Sequence, residues 1–297
     1  MKNVYKKWFT PFAIPAIILY SSVVVIPFII GFIYSFSAWR GVYFVGGDNA
    51  FQAWIGFENY IRAFQNESFR QSFIYTVQFT FLAVIVVNVV SLSLALLINS
   101  IGKAVGFFRA TFFLPNLLGG LALGFIWLFI FENIFSTLLF GPDGLIPLSF
   151  LTNMTQDNTK NLFALLMVVT WQMAGYMMII YITGLNNIPE ELYEAASIDG
   201  ANIWQKFKNI TVPMLMPSFT IVFFMVLSGT FKLLDPNVAL TNGEFGTRML
   251  ALQILRAPKD TSNNYGVAQA QAVIFFVIIA VVSLTQVIIT KRREIEL

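Results

Sequence analysis

The stretch Asn186–Pro217, NNIPEELYEAASIDGANIWQKFKNITVPMLMP, separates two apolar runs and carries charge that its neighbours lack. Pro189 suits a first helical turn, Glu190 and Glu191 suit the positive end of a helix dipole, and Gly200 suits a helix stop. Together they predict a short helix from Pro189 to Asp199. Ile188, Leu192, Ala195 and Ala196 fall at i, i+4, i+7 and i+8 and share one face, with Glu190, Glu191 and Glu194 elsewhere. Beyond Gly200, Asn202 is placed to cap a second helix that sets Ile203, Phe207 and Ile210 on one side. Pro213 and Pro217 mark the return to the next apolar run. The stretch reads as helix, glycine corner, helix.

Around it, 57% of the 297 residues are hydrophobic and 11% are charged, with a mean hydropathy of +0.74. A soluble domain carries about twice that share of charge. The expected fold is an all-α polytopic membrane protein, one transmembrane domain over residues 1–297. Its six expected spans are residues 9–36, 71–99, 111–136, 161–185, 212–232 and 266–290, with a polar loop at 186–211. The lysines of Met1–Lys7 would also suit a signal peptide. A signal core runs to only about 7 to 15 apolar residues, so the longer first run is expected to remain as a span. Trp39, Tyr43, Trp54 and Tyr60, in the polar interval after it, are the aromatics of a membrane interface.

Charge orients the chain. Segments 1–7, 100–109, 186–211 and 291–297 hold ten Lys and Arg in 50 residues, and segments 38–70, 137–160 and 233–265 hold seven in 90. The positive-inside rule therefore places both termini and the 186–211 loop in the cytoplasm. With no Cys and no His, the chain can make no disulfide, thiolate or zinc-thiolate site, His-based triad or His-ligated haem. A net charge of +3, with bases at the ends of apolar runs, gives no support to nucleic-acid binding.

Several residues within the spans stand out. Gly119, Gly120 and Gly124 make a thin helix face suited to packing. Glu132 is an acid in an apolar run, which reads either as a functional group or as a side chain reaching the outer interface. Trp171, Gln172 and Tyr176 offer stacking and hydrogen bonding in mid-span, as a polyhydroxylated ligand requires; helix packing accounts for them equally. Thr230, Lys232 and Asp235 cluster at the end of the fifth run, and Lys232 can pair with Asp235 if one helix continues through both.

A 26-residue polar loop is longer than a connection needs. Laid on the lipid, its first helix would bring three acids against an anionic leaflet, so docking to a protein is the better account.

Glu194-Ala195-Ala196, then Gly200 after three residues, then Ile210-Thr211-Val212-Pro213 after nine more, resembles the EAA motif of ATP-binding-cassette (ABC) importer permeases, which usually carry Leu at the position of Val212. GFENYIRAF, RATFFLP, LTNG, YGVAQAQAV and Ser35-Phe36-Ser37-Ala38-Trp39 extend the likeness over nearly the whole chain, to the maltose-type first permease subunit of the carbohydrate-uptake branch. The resemblance implies a type I ABC importer permease. It implies that Glu194, Ala195, Ala196, Asp199, Gly200, Ile210 and Pro213 form a coupling element seated on a separate ATPase dimer. It also implies a sugar or oligosaccharide path along the flanking spans at Gln172, Met173, Tyr176, Thr230 and Leu233, with Lys232 and Asp235. Further implied are a second homologous permease subunit, an extracytoplasmic solute-binding protein, and a multi-pass position among the lipids of a bacterial plasma membrane.

The chain has no G-x-x-x-x-G-K-[ST], so ATP and Mg are expected on the ATPase, leaving this subunit non-catalytic, without cofactor or metal. An ion-gradient-driven secondary transporter would show internal repeats and buried charges, and neither is evident. An intramembrane enzyme would need a carboxylate pair or a Ser-Lys dyad, and Glu132 stands alone.

Overall fold

The computed structural model describes residues 2–100, 105–146, 148–262 and 264–294. Lys103, one of the bases counted in the 100–109 segment, lies outside them. Among the described residues the chain is helical, and its β pairing is confined to the isolated bridges Ser37–Trp54 and Trp39–Phe44. It forms two compact units, Met1–Arg70 with Ile254–Phe276, and Gln71–Gln253 with Val277–Leu297.

The first unit opens with α1 (Lys2–Tyr20), a π turn at Ser21–Val25 and α2 (Ile26–Tyr34). Its apolar stretch Pro11–Tyr34 buries none of its window, so lipid or another chain must cover it. The loop that follows is held by Asn59 of α3 (Glu58–Gln65), whose Nδ2 donates to the Ser35 and Ser37 carbonyls at 2.9 and 2.8 Å. Three of the four expected interfacial aromatics make ring contacts there: Phe36 lies 5.1 Å from the rings of both Trp54 and Tyr60, and Trp39 lies 5.4 Å from Tyr265.

The second unit is built around α7 (Asn158–Asn186), which buries thirteen of its residues. Helices α4 (Glu67–Asn99), α5 (Val105–Phe113), α6 (Gly120–Phe129) and α11 (Met216–Phe231) complete the unit's bundle. Small residues set the closest approaches. A Cβ on Gly175 would overlap the Phe112 carbonyl, and one on Gly124 would meet Ala239 of α12 (Asp235–Thr241). Gly120 and Gly124 thus form the thin face read from the sequence, turned toward α12, while Gly119 has open space beside it. Buried polar groups are tied across helices: the Tyr181 hydroxyl donates to Asn88 Oδ1 at 2.5 Å and the Tyr75 hydroxyl to Asn161 Oδ1 at 2.9 Å. In an apolar medium such groups must find partners within the protein.

Two helices differ from the sequence expectation of continuous segments. The run from Thr111 to Ser136 is broken: α5 ends at Phe113, Leu114–Leu117 is a 3₁₀ turn, Leu118 and Gly119 are extended, and α6 passes into a π segment, Ile130–Leu139. Pro115 lacks the N–H that a continuing helix needs. The run at 212–232 is also interrupted. Ile203–Met214 meets Met216–Phe231 at a bend of 66°, with Pro213 and Pro217 on either side of Leu215. Among the described residues, five helices are long and apolar enough to cross a membrane, and six if this bent pair is one span. Toward the C-terminus lie α13 (Leu250–Asp260) and α14 (Tyr265–Lys291).

Candidate functional site

The loop after α7 folds as α8 (Glu190–Ile198), a corner, and α9 (Ile203–Lys206), which runs through a π turn at Phe207–Thr211 into α10 (Val212–Met214). Its corner follows from local chemistry. The Ala201 N–H bonds the Ala196 carbonyl at 2.9 Å and the Gly200 N–H bonds the Ser197 carbonyl at 3.1 Å, which is the Schellman pattern of a helix end. Gly200 sits at φ +77° with nothing within 4 Å of a would-be Cβ, so the backbone angle, not space, demands glycine. Asn202 then starts α9 with a capping box: its Oδ1 accepts from the Gln205 N–H at 2.9 Å, and Gln205 Oε1 accepts from the Asn202 N–H at 2.8 Å.

Two side-chain ties hold the helices to one another. The Tyr193 and Thr211 hydroxyls are 2.9 Å apart, and Lys206 Nζ donates to Ser197 Oγ at 2.5 Å. Neither tie is visible in the helical periodicity, because each joins residues nine or more apart across the corner. The loop is therefore a braced V and not a slack connection. Glu190, Glu191 and Glu194 are exposed, as are Ala195, Asp199 and Gly200, while Ile210 is half-buried.

Burial around the corner is unusual. Ile198 and Ile203 are each 88% exposed and Trp204 is 68% exposed, so three large apolar side chains flank Gly200. Ile188 is buried, whereas Leu192, on the same expected face, is 38% exposed. Ile203 also departs from the stripe it was expected to share with Phe207 and Ile210: those two are half-buried, and it stands out on the first turn after the corner. A loop that keeps acids and bare apolar groups together on a braced frame is built to be covered.

Along α7, Gln172, Met173 and Tyr176 lie on one half-buried face. Gln172 Nε2 reaches the Leu118 carbonyl at 3.5 Å, Tyr176 lies 6.1 Å from the Phe113 ring, and Met173 borders Gly229. The break after α5 thus faces these three residues. Thr230 is buried, and its hydroxyl donates to the Val226 carbonyl of its own helix at 2.8 Å. Leu233 packs on the core. Lys232 caps the end of α11 and Asp235 begins α12, so no single helix carries both, and no ion pair joins them among the described residues. A recess of about 870 Å³ opens beside Trp171, Ala174 and Gly175. Thr111, Thr170 and Trp171 are its only polar side chains, too few to hold a sugar's hydroxyls.

Helices that bundle around α7, a broken segment beside it and a braced polar V after it make up a polytopic helical membrane protein. The chain belongs to the family described as binding-protein-dependent transport system inner membrane component, whose model matches residues 104–295. It is 40% identical to the probable starch degradation products transport system permease protein AmyD of Thermoanaerobacterium thermosulfurigenes, over 98% of this chain and 96% of that one. It is 32% identical to the multiple sugar-binding transport system permease protein MsmF of Streptococcus mutans, over 99% of both. Its fold matches a chain of a bacterial alginate ABC transporter solved with an alginate pentasaccharide-bound periplasmic protein, at a TM-score of 0.76 and 20% identity, over 98% of this chain and 96% of that one. The chain is a multi-pass inner membrane component of a binding-protein-dependent transport system.

Proposed function

We propose that this chain is one of two permease subunits of a type I, binding-protein-dependent importer for an oligosaccharide or other sugar, in a bacterial plasma membrane, with six spans and both termini in the cytoplasm. The braced V at 186–211 supports this reading most directly. Its acids and its exposed Ile198, Ile203 and Trp204 offer a separate ATPase both a charged and an apolar contact. Glu194 pairs with a base on that partner, Ala195, Ala196 and Asp199 line the same helix, Gly200 makes the corner, and Ile210 and Pro213 pass movement into α11. ATP and Mg stay on the ATPase. This chain carries no chemistry of its own; closure of the ATPase dimer moves the V, and the spans tilt against the second permease so that the path opens alternately to each side.

The sugar path is proposed along Gln172, Met173 and Tyr176. Thr230 and Leu233, packed inward here, join it through movement of α11, with Lys232 and Asp235 at the mouth. The names of AmyD and MsmF and the alginate complex motivate the sugar and the binding protein.

The test is uptake by the assembled complex. Gly200→Pro and Glu194→Lys should each abolish transport while the subunit still inserts and copurifies with the second permease. Normal uptake by both variants rules out coupling through this loop. For the path, Tyr176→Ala should raise the KM for the transported sugar at least about tenfold, the loss expected of one good contact; an unchanged KM removes Tyr176 from it. An ion-driven transporter is the competing class, and uptake by this chain alone on a proton gradient would establish it instead.

A further inference from the structure

Glu132 is left unused by this mechanism, and the structure gives it a setting. It is exposed on the π segment Ile130–Leu139, next to the Asn153–Gln156 turn that leads into α7. Ser136 ties the two together, accepting from the Asn153 N–H at 2.9 Å and donating to the Phe131 carbonyl at 2.7 Å. The third wall is the end of α12 and its loop. Among these elements lies a cleft of about 500 Å³ lined by Glu132, Thr155, Gln156, Thr241, Asn242, Glu244 and Phe245, together with an adjoining recess of about 210 Å³ that shares Glu132, Thr155 and Gln156. The cleft is at the N-terminal end of α7, about 40 Å along the helix from the coupling loop at a rise of 1.5 Å per residue.

Its chemistry is selective. The lining holds two carboxylates, two amides and two hydroxyls, with no Lys or Arg, so an anion is disfavoured. Among the described residues no group of three or more acids is placed to hold a metal. Thr155 is only 5% exposed, lines both recesses, and its hydroxyl has no hydrogen-bond partner among the described residues. The residue is buried but its hydroxyl opens on the cleft, where it can donate to or accept from a ligand. Phe245, at φ +56°, leaves its ring 58% exposed at the rim. Carboxylates accept from a sugar's hydroxyls, amides both accept and donate, and an aromatic face covers the apolar side of a pyranose ring.

We propose that this cleft is a second saccharide site, separate from the path along α7, which holds a neutral sugar unit at the end of the subunit away from the coupling loop. It rests on the cleft's own groups and needs neither ATP nor the coupling loop.

The experiment is saturation-transfer NMR and calorimetry on the full chain in nanodiscs, with maltotriose and arabinotriose as probes. Saturable binding of at least one probe is expected. Glu132→Gln combined with Glu244→Gln should weaken it at least about tenfold, and Phe245→Ala should weaken it several-fold, with the thermal midpoint unchanged because all three side chains are exposed. If the double variant fails to fold, Phe245→Ala alone decides. No saturable binding of either sugar, or binding that all these variants retain, overturns the proposal. So does a double variant that keeps sugar binding but loses docking of the solute-binding protein, which would make the cleft a protein contact.

Discussion

The two ends of α7 solve opposite problems. At its N-terminal end, polar groups are buried and tied together: Asn237 is fully buried, its Nδ2 donates to the Thr247 carbonyl at 2.8 Å, and its Oδ1 accepts from the Met249 N–H at 3.0 Å. The Thr241 and Thr247 hydroxyls are 2.6 Å apart in the same cluster, and Asn158 of α7 reaches the Gly246 carbonyl. At the C-terminal end, apolar groups are left bare on a braced loop. The Asn237 cluster is complete within the chain, because a buried amide whose partners are present fixes a loop in one place. The C-terminal end is incomplete. Hydrophobic groups held out on a stiff frame gain nothing until a partner covers them, so this end should respond to assembly and the other to folding.

The sharpest way to break this contrast is to remove the bare apolar groups. Ile203→Ser with Trp204→Ser should cut uptake by about a hundredfold, since two central anchors of an interface commonly contribute 1 to 3 kcal/mol each. The thermal midpoint of the isolated subunit should stay within about 2 °C, as for exposed sites in general. A drop in midpoint with normal uptake would mean that these residues pack within this chain. Next in size is Asn237→Ala, which strands the Met249 N–H and the Thr247 carbonyl. It should destabilise the isolated subunit by about 2 to 4 kcal/mol. Asn237→Asp keeps the acceptor but sets a carboxylate against the Thr247 carbonyl, so it should destabilise at least as much. Equal stability of all three forms would dissolve the claim that the polar end is locked by this amide.

How much of this was legible depended on how local the cause was. The V at 186–211 could be read because its proline, acids, glycine and Asn202 act on neighbours a few residues away; the helix expected from Pro189 to Asp199 is observed from Glu190 to Ile198. The packing role of Gly120 and Gly124 was legible for the same reason. The brace was not, since Tyr193 meets Thr211 and Lys206 meets Ser197 only after the corner has formed. Nor was the exposure of Ile203: a period of 3.6 assigns it to a stripe, but the helix passes into a π turn at Phe207 and burial begins only near that point. The inward packing of Thr230 was hidden because its hydroxyl bonds back to Val226, an option every helical Thr has. Glu132 was noticed as a costly acid, while its companions Thr155 and Glu244 come from other elements that only the fold brings near.

The smallest expected effect refines the comparison best, because it separates bracing from covering. Asn202→Ala removes the capping box and leaves Ile198, Ile203, Trp204 and Glu194 untouched. Loss of such a cap costs about 1 kcal/mol locally, so α9 should fray while the rest of the subunit keeps its midpoint. Amide exchange should quicken about fivefold at Ile203 to Lys206 and stay unchanged at Asn237 and Met249. If a stiff V is what transmits movement, uptake should fall a few-fold although every contact residue is present. Faster exchange with full uptake would show that exposed surface alone is enough, and that the brace serves folding of the loop and not its transmission of force.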